Sequence, residues 1–209
     1  MAITSENFIK WLENYAALLN ENKAYLTDLD SEIGDADHGI NMDRGFQAVL
    51  KKLPDAADGD IGAILKTTAM ALISSVGGAS GPLYGTLFLE MAKSADGKAE
   101  LTLEEWAASL AVGVEGVARR GKAGAGNKTM LDALFPAVEA LKQASSEKRH
   151  LKEALQASCN AAEEGMKATI PMVAKKGRAS YLGERSAGHQ DPGATSSFLM
   201  LKAAAESLA

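Results

Sequence analysis

Apolar side chains recur three and four positions apart through most of this chain of 209 residues. That spacing places them on one face of an amphipathic helix. The first stripe contains Phe8, Trp11, Leu12, Tyr15, Leu18 and Leu19, and comparable stripes lie within 61–72, 103–117, 130–141, 151–169 and 198–201. No run of β-branched residues alternates with the period of a strand. The pattern therefore predicts an all-α protein.

Two short sequences predict where helices begin. Thr102-Leu103-Glu104-Glu105 has the form of a capping box, in which Thr102 and Glu105 each bond the other residue's backbone N–H. Asp191 is suited to cap a later helix with Pro192 in its first turn, because the missing N–H of proline would have no partner there. We therefore expect helices to start directly after Thr102 and Asp191.

The helical periodicity runs from end to end without a linker rich in Pro, Gly or Ser, so we predict one domain over residues 1–209. The formal net charge is −5 and basic residues adjoin one another only in pairs, which disfavours a nucleic-acid partner. No apolar stretch approaches the roughly 20 residues that cross a bilayer, and the N-terminus lacks the pattern of a signal peptide. We expect a cytoplasmic protein without a membrane or nucleic-acid partner.

Four connecting segments are dense in Gly, Asp, Ser and His: residues 30–41, 74–85, 121–129 and 177–193. Connections in helical bundles are usually short and plain. Long loops of this composition indicate a ligand site at one end of the helices.

The first of these loops carries three aspartates, Asp30, Asp35 and Asp37. Carboxylates so close together repel one another unless a cation lies between them, and a few hard oxygen ligands favour Mg²⁺. We expect Gly34 and Gly39 to permit the tight turns that aim these side chains inward. The alternative is a solvated acidic loop with capping aspartates. A calcium EF-hand is excluded, because the ligand pattern fails after Asp37.

The 74–85 segment contains four glycines and leads into a helix. Backbone N–H groups there, with the positive end of the helix dipole, are suited to bind an anion such as phosphate, although a plain interhelical turn is the alternative. His38, beside the aspartates, is suited to be a metal ligand, a base or a hydrogen-bond donor to phosphate. We favour the donor, because Mg²⁺ does not prefer imidazole.

The 121–129 segment nearly matches a P-loop, but Asn127 stands where the lysine is required and no strand precedes it. The 177–193 segment is long and polar, which is typical of a mobile lid or of disorder. Arg178 and Arg185 are suited to pair with phosphate, which favours the lid.

The motifs occur in a recognisable order: Gly34-Asp35-Ala36-Asp37-His38-Gly39, then Ser75 to Leu83, then Lys128-Thr129-Met130 with Asp132, then 177–181 and Asp191-Pro192-Gly193. With these, the chain resembles the nucleotide-binding L subunit of dihydroxyacetone kinase over essentially its whole length. The resemblance implies an antiparallel barrel of eight helices with ADP and Mg²⁺ at one end. It implies metal ligation by Asp30, Asp35 and Asp37. It implies nucleotide contacts at His38, Gly39, Ile40, Asn41, Ala79, Ser80, Gly121, Met130, Arg178, Asp191, Pro192 and Gly193.

The family has two modes, an ATP-dependent kinase in one longer chain and a set of subunits supplied by the phosphoenolpyruvate-dependent phosphotransferase system. The first apolar stripe begins close to Met1, so we expect the second mode. ADP is then a bound coenzyme that a phosphohistidine subunit converts to ATP, and the phosphoryl group passes to dihydroxyacetone on a separate kinase subunit. A homodimer is a further possible assembly. The alternatives are an ATP-dependent kinase module, the related module of fatty-acid kinase, and a nucleotide-sensing regulatory protein.

Overall fold

The computed structural model describes residues 2–57 and 59–208. These residues form nine α-helices, two short 3₁₀ segments and one antiparallel pair of two-residue strands, β1 (Ile3–Thr4) and β2 (Glu100–Leu101). The helices are α1 (Ser5–Glu21), α2 (Lys23–Ile33), α3 (His38–Lys52), α4 (Ile61–Ser75), α5 (Ser80–Ser94), α6 (Leu103–Gly121), α7 (Leu131–Ser146), α8 (Leu151–Ala168) and α9 (Pro192–Ser207). The 3₁₀ segments are Leu53–Ala56 and Arg178–Ser186. The prediction of an all-α protein is confirmed.

The helices from α3 to α9 each pack against the next one along the chain, and α9 packs against α1, which returns to α3. This order of neighbours is that of a closed ring of eight helices, as the predicted barrel requires. The remaining helix, α2, lies outside this ring. It follows α1 after a break at Asn22 and packs on α3 and α9.

The centre of the ring is an aromatic cluster. The rings of Trp11 and Trp106 meet edge to face with centroids 5.2 Å apart, and Phe8 lies 5.6 Å from both. The indole N–H of Trp11 donates to the Met200 carbonyl at 2.9 Å. This bond fastens the first helix of the ring to the last.

The two predicted helix starts are confirmed. The Glu105 N–H donates to the Thr102 hydroxyl at 3.2 Å, and the Thr102 N–H donates to the Glu105 carboxylate at 2.8 Å. Asp191 accepts from the Ala194 N–H at 2.7 Å, with Pro192 in the first turn of α9.

The predicted bounds of the first two loops were wrong, because helices extend into them, and the fourth connection begins eight residues before its predicted start. The irregular connections are residues 34–37, 76–79, 122–130 and 169–191. Gly39 lies inside α3, where a Cβ atom would meet the Lys23 carbonyl oxygen of α2 at 2.1 Å. Gly85 lies inside α5, where a Cβ would meet Ile73 of α4 at 2.3 Å. These glycines allow helices to approach closely and do not form turns.

Within the described residues, no helix is both long enough and apolar enough to cross a membrane.

Candidate functional site

The four irregular connections meet around one cavity of about 190 Å³. Its lining combines the ends of α2, α3, α5 and α9 with the 169–191 connection. The sequence predicted a ligand site where these connections meet, and the structure brings them together.

Three aspartates form the acidic side of this cavity. Asp30 lies in the last turn of α2 and is buried, whereas Asp35 is exposed and Asp37 is intermediate. One carboxylate oxygen from each lies within 4.8 Å of the others. Asp30 accepts N–H bonds from Asp37 at 2.9 Å and from His38 at 3.1 Å, which fixes its orientation. The group has the hard oxygen donors that Mg²⁺ prefers.

The turn between the aspartates has an uncommon backbone conformation. Ala36 has φ of 59°, in the left-handed region that residues with a Cβ seldom occupy. This conformation lets Asp35 and Asp37, two positions apart, share one site. Conformations of this kind persist only where the surroundings impose them, and they are concentrated at ligand sites.

Arg178 forms an ion pair with this acidic group. Its guanidinium lies 2.9 Å from the Asp35 carboxylate, and both side chains are partly in solvent. Arg178 begins the 3₁₀ segment of the 169–191 connection, so the connection lies over the aspartates. A separate apolar cluster of Ile33, Ala174 and Ala179, with Leu182 packed against it, holds the connection on the end of α2.

His38 lies at the centre of a buried chain of hydroxyl groups. Its Nε2 is 2.9 Å from the Ser196 hydroxyl and its Nδ1 is 3.2 Å from the Ser80 hydroxyl. The Ser196 hydroxyl is also 2.7 Å from that of Tyr84. Burial lowers the pKa of His38 more than Asp30 and Asp37 raise it, so the imidazole is neutral at pH 7. Each ring nitrogen of this neutral imidazole bonds a serine hydroxyl. One of the two serines, Ser80, lines the cavity together with Gly77 and Gly78.

The amino end of α5 faces the cavity through Gly77, Gly78, Ala79 and Ser80. The residue that precedes α5, Ala79, has no side-chain oxygen with which to cap the first-turn N–H groups. Free N–H groups at the positive end of a helix dipole bind anions such as phosphate. This end of the cavity is therefore suited to a phosphate group.

Asp191 lies across the cavity at the start of α9 and is 8% exposed. Burial raises the pKa of its carboxyl to about 7, against the N–H bond from Ala194 that lowers it. The nearby charges of Asp132 and Asp30 raise the pKa further, while Lys128 lowers it. Burial is the main cause of the raised pKa, and the neighbouring carboxylates add to it, so Asp191 lies in a largely desolvated part of the cavity.

A second, more apolar cavity of about 300 Å³ adjoins the first and shares its lining at Ala79, Leu83 and Met130. Lys176 and Gly177 also line both cavities, whereas Gly121 and Ala123 line only the second. The two cavities together offer a polar compartment next to an apolar one.

Most of the predicted site residues line these cavities. The first is lined by Asp30, Asp35, Asp37, His38, Ala79, Ser80, Met130, Arg178, Asp191, Pro192 and Gly193, and the second includes Gly121. Three predicted contacts lie outside both linings. Gly39 packs on α2, Ile40 is 49% exposed, and Asn41 accepts from Arg44 at 2.7 Å. A nucleotide contact at these three residues stays a prediction.

Three polar residues of the site were given no role from the sequence, although two of them, Lys128 and Asp132, belong to one of the recognised motifs. Asp132 accepts N–H bonds from Gly126 at 2.5 Å and Thr129 at 2.8 Å, and so shapes the turn before α7. Lys128 lies in this turn with its ammonium buried, and Tyr84 bonds Ser196 from α5. The near-match to a P-loop drew attention to the turn that contains Lys128. Because Asn127 breaks that motif, the sequence assigned Lys128 no role.

The comparisons with known proteins agree with this geometry. The sequence model of the DAK2 domain family matches residues 32–206 of this chain. The chain is 51% identical over 202 residues to the PEP-dependent dihydroxyacetone kinase, ADP-binding subunit DhaL, of Escherichia coli (strain K12), covering 97% of this chain and 96% of the relative. It is 41% identical over 207 residues to the PTS-dependent dihydroxyacetone kinase, ADP-binding subunit DhaL, of Lactococcus lactis subsp. lactis (strain IL1403), covering 99% of this chain and the whole relative.

A solved structure has the same fold. The dihydroxyacetone kinase from C. freundii in complex with AMP-PNP and Mg²⁺ superposes with a TM-score of 0.72 at 25% identity. The match covers 94% of this chain but only 33% of that larger one.

Proposed function

This chain belongs to the DAK2 domain family, and from that premise we propose that it is the ADP-binding subunit of a dihydroxyacetone kinase. ADP is its bound coenzyme. A phosphohistidine subunit of the phosphotransferase system rephosphorylates ADP in place, and the phosphoryl group passes to dihydroxyacetone on a partner subunit. Residues 1–209 act as one domain. The observation that carries the proposal is the meeting of three carboxylates, an uncapped helix end and a basic connection at one cavity.

The residues fit a magnesium ion. Asp30, Asp35 and Asp37 would hold it through carboxylate oxygens, with Asp30 already oriented by two backbone N–H groups. When bound, the ion would offset the charge of the diphosphate and polarise its oxygens.

The chain's own groups would then bind and orient the coenzyme. The N–H groups at the start of α5 and the Ser80 hydroxyl, which bonds neutral His38, face the polar cavity where the diphosphate would lie. Arg178 would neutralise charge from the opposite side. The adjoining apolar cavity between Leu83, Gly121 and Met130 would take the adenine ring. Phosphoryl transfer needs positioning and charge neutralisation more than a protein nucleophile, and the site supplies both.

The proposed partners follow from the relatives. The Escherichia coli and Lactococcus lactis relatives are named as ADP-binding subunits, so the kinase has at least one further subunit there. We place this chain with a dihydroxyacetone-binding subunit and a phosphohistidine subunit in the cytoplasm. A homodimer stays a prediction.

The first test is nucleotide retention. We expect the purified protein to carry ADP and Mg²⁺, and Asp35→Asn to lose both while keeping its helical content. A ligand at a thousand times its dissociation constant stabilises by about 4 kcal/mol, so the loss should lower the melting temperature. Asp28→Asn, an exposed aspartate on α2, is the matched control. The measurement is ion-exchange chromatography of a heat extract. Stoichiometric ADP in Asp35→Asn would contradict the metal assignment.

The second test concerns the phosphate source. With the dihydroxyacetone-binding subunit and free ATP alone, we expect little sustained turnover. Adding the phosphohistidine subunit and phosphoenolpyruvate should restore it. At an on-rate of about 10⁶ M⁻¹s⁻¹, a nanomolar site releases its ligand about once in a thousand seconds, whereas kinases turn over about 1–100 times per second. Rapid turnover on ATP alone would favour an ATP-dependent module, and no turnover with any partner would favour a nucleotide sensor.

A further inference from the structure

Lys128 is a buried lysine that the proposed function does not use. Its side chain is only 1% exposed, although lysine is almost never buried without partners. Its backbone φ of 59° lies in the left-handed region, which residues with a Cβ seldom occupy. Asp132 holds the surrounding turn through the N–H groups of Gly126 and Thr129. This position therefore combines an unfavourable backbone conformation with a buried charge.

The ammonium group of Lys128 bonds carbonyl oxygens from both ends of the 169–191 connection. On the α8 side it reaches Thr169 at 2.8 Å, Met172 at 3.1 Å and Ile170 at 3.4 Å. On the α9 side it reaches His189 at 2.5 Å. An ammonium has three donors, so these carbonyls together satisfy it completely. Burial lowers the pKa of Lys128, and the charge of Asp191 opposes that change.

Other hydrogen bonds close the same base of the connection. The Gly188 N–H donates to the Ile170 carbonyl at 2.7 Å, and the Asp191 N–H donates to the Thr169 hydroxyl at 3.0 Å. The Lys175 N–H donates to the Asn127 carbonyl at 3.1 Å, beside Lys128 itself. The two ends of the connection are thus brought together around one ammonium group.

We propose that Lys128 is a positioning residue of the nucleotide site: its ammonium joins both ends of the 169–191 connection and thereby fixes Arg178 and Asp191 on either side of the bound coenzyme. The inference rests on the proposed function for the identity of that coenzyme. Although Lys128 borders the polar cavity, all the donors of its ammonium are directed to backbone carbonyls. It acts through the connection and does not replace the lysine of a P-loop.

Removing the ammonium would leave the partly buried carbonyls of Met172 and His189 without partners, whereas those of Thr169 and Ile170 keep backbone N–H bonds. Buried polar groups without hydrogen bonds are costly, and the connection can recover those bonds from water by opening. An open connection moves Arg178 away from the site. We therefore expect Lys128→Met to speed nucleotide release at least tenfold and to speed tryptic cleavage at Arg178 and Arg185, at temperatures well below the melting transition.

The test compares Lys128→Met with Lys122→Met. Lys122 is exposed and also has a left-handed backbone, with φ of 47°, so it controls for the loss of a lysine from such a position. Release is followed by displacing a fluorescent ADP analogue with excess ADP and Mg²⁺. Cleavage is followed by mass spectrometry without nucleotide. Release and cleavage at the parent rate in Lys128→Met would overturn the inference. Faster release with unchanged cleavage would also overturn it, because Lys128 would then contact the nucleotide directly.

A second variant guards against misfolding. Lys128→Arg keeps the charge, but its planar fork does not fit carbonyls that converge on one ammonium. We expect it to accelerate both release and cleavage as well, and parent-like rates would overturn the inference. If the parent protein itself binds no ADP, the proposed function fails, whereas the cleavage assay still decides whether Lys128 holds the connection.

Discussion

The aromatic cluster and the polar side chains of His38, Lys128 and Asp132 beside the cavity are both buried, but their polar atoms differ in hydrogen bonding. In the described part of the chain, the Trp106 Nε1 is the one buried side-chain nitrogen or oxygen without a hydrogen-bond partner, and it lies in the aromatic cluster. Around the cavity, by contrast, His38, Lys128 and Asp132 each have at least two partners. Packing fills the first region, whereas directed bonds hold side chains of the second in set orientations. A site that must hold a charged ligand is built in advance by such bonds.

The largest contrast should come from two isoleucines. Ile64 of α4 lies in the main core, whereas Ile33 belongs to the small cluster under the 169–191 connection. We expect Ile64→Ala to lower the free energy of unfolding by about 2–5 kcal/mol. We expect Ile33→Ala to lower it clearly less, because the connection can open without global unfolding. Urea denaturation measures the free energy of unfolding of both variants. Tryptic cleavage at Arg178 measures how readily the 169–191 connection opens.

The variant with the larger effect should therefore differ between the two assays. Ile33→Ala should show the faster cleavage and Ile64→Ala the larger loss of stability. Equal ranks in both assays would mean that the connection unfolds together with the ring.

Asp191→Asn should change how stability depends on pH. The pKa of Asp191 is about 7 in the fold, above its usual 3.8, so ionisation is disfavoured in the folded state. The free energy of unfolding should therefore fall as pH rises from about 4 to about 7, by about 4 kcal/mol, and stay level above that. Asparagine keeps the cap of α9 and removes this dependence.

The measurement is urea denaturation from pH 4 to pH 8 with chelator and without nucleotide. His38 acts in the opposite direction, since its lowered pKa removes stability as pH falls below about 6.5. That contribution is common to both proteins, so the difference between variant and parent isolates Asp191. A difference that does not grow with pH would contradict the assignment.

The smallest effect should separate the two tryptophans. Trp11 and Trp106 are both fully buried and touch each other, but only Trp11 donates a hydrogen bond, to Met200. We expect Trp11→Phe to cost about 1 kcal/mol more than Trp106→Phe. Thermal unfolding of the pair measures the difference. Equal losses would show that the indole bond in the aromatic cluster contributes nothing to stability.

Local sequence sufficed for the features that depend on near neighbours. The Thr102 capping box and the Asp191–Pro192 helix start involve residues within three positions of each other, and both were confirmed. The bounds of the first two loops were wrong, because Gly39 and Gly85 were interpreted as turn residues. Their role is set by helices that approach from elsewhere in the ring.

The role of Lys128 shows the same limit at the site. Its carbonyl partners lie between 41 and 61 positions away, and every residue has a carbonyl, so no residue type marks them. The aspartates were easier to find, because Asp35 and Asp37 are near neighbours and their chemistry is in the side chain.

The bond between Trp11 and Met200 also bears on the order in which the protein is made. It joins residues 189 positions apart, whereas most contacts of the ring connect one helix to the next. During synthesis the earlier helices can pair as they leave the ribosome, but α1 must keep an apolar face without its partner until α9 emerges. Asp191, Ser196 and the last wall of the cavity arrive with that same helix. We therefore expect nascent chains to acquire nucleotide only after α9 has been synthesised, and α1 to need protection until then.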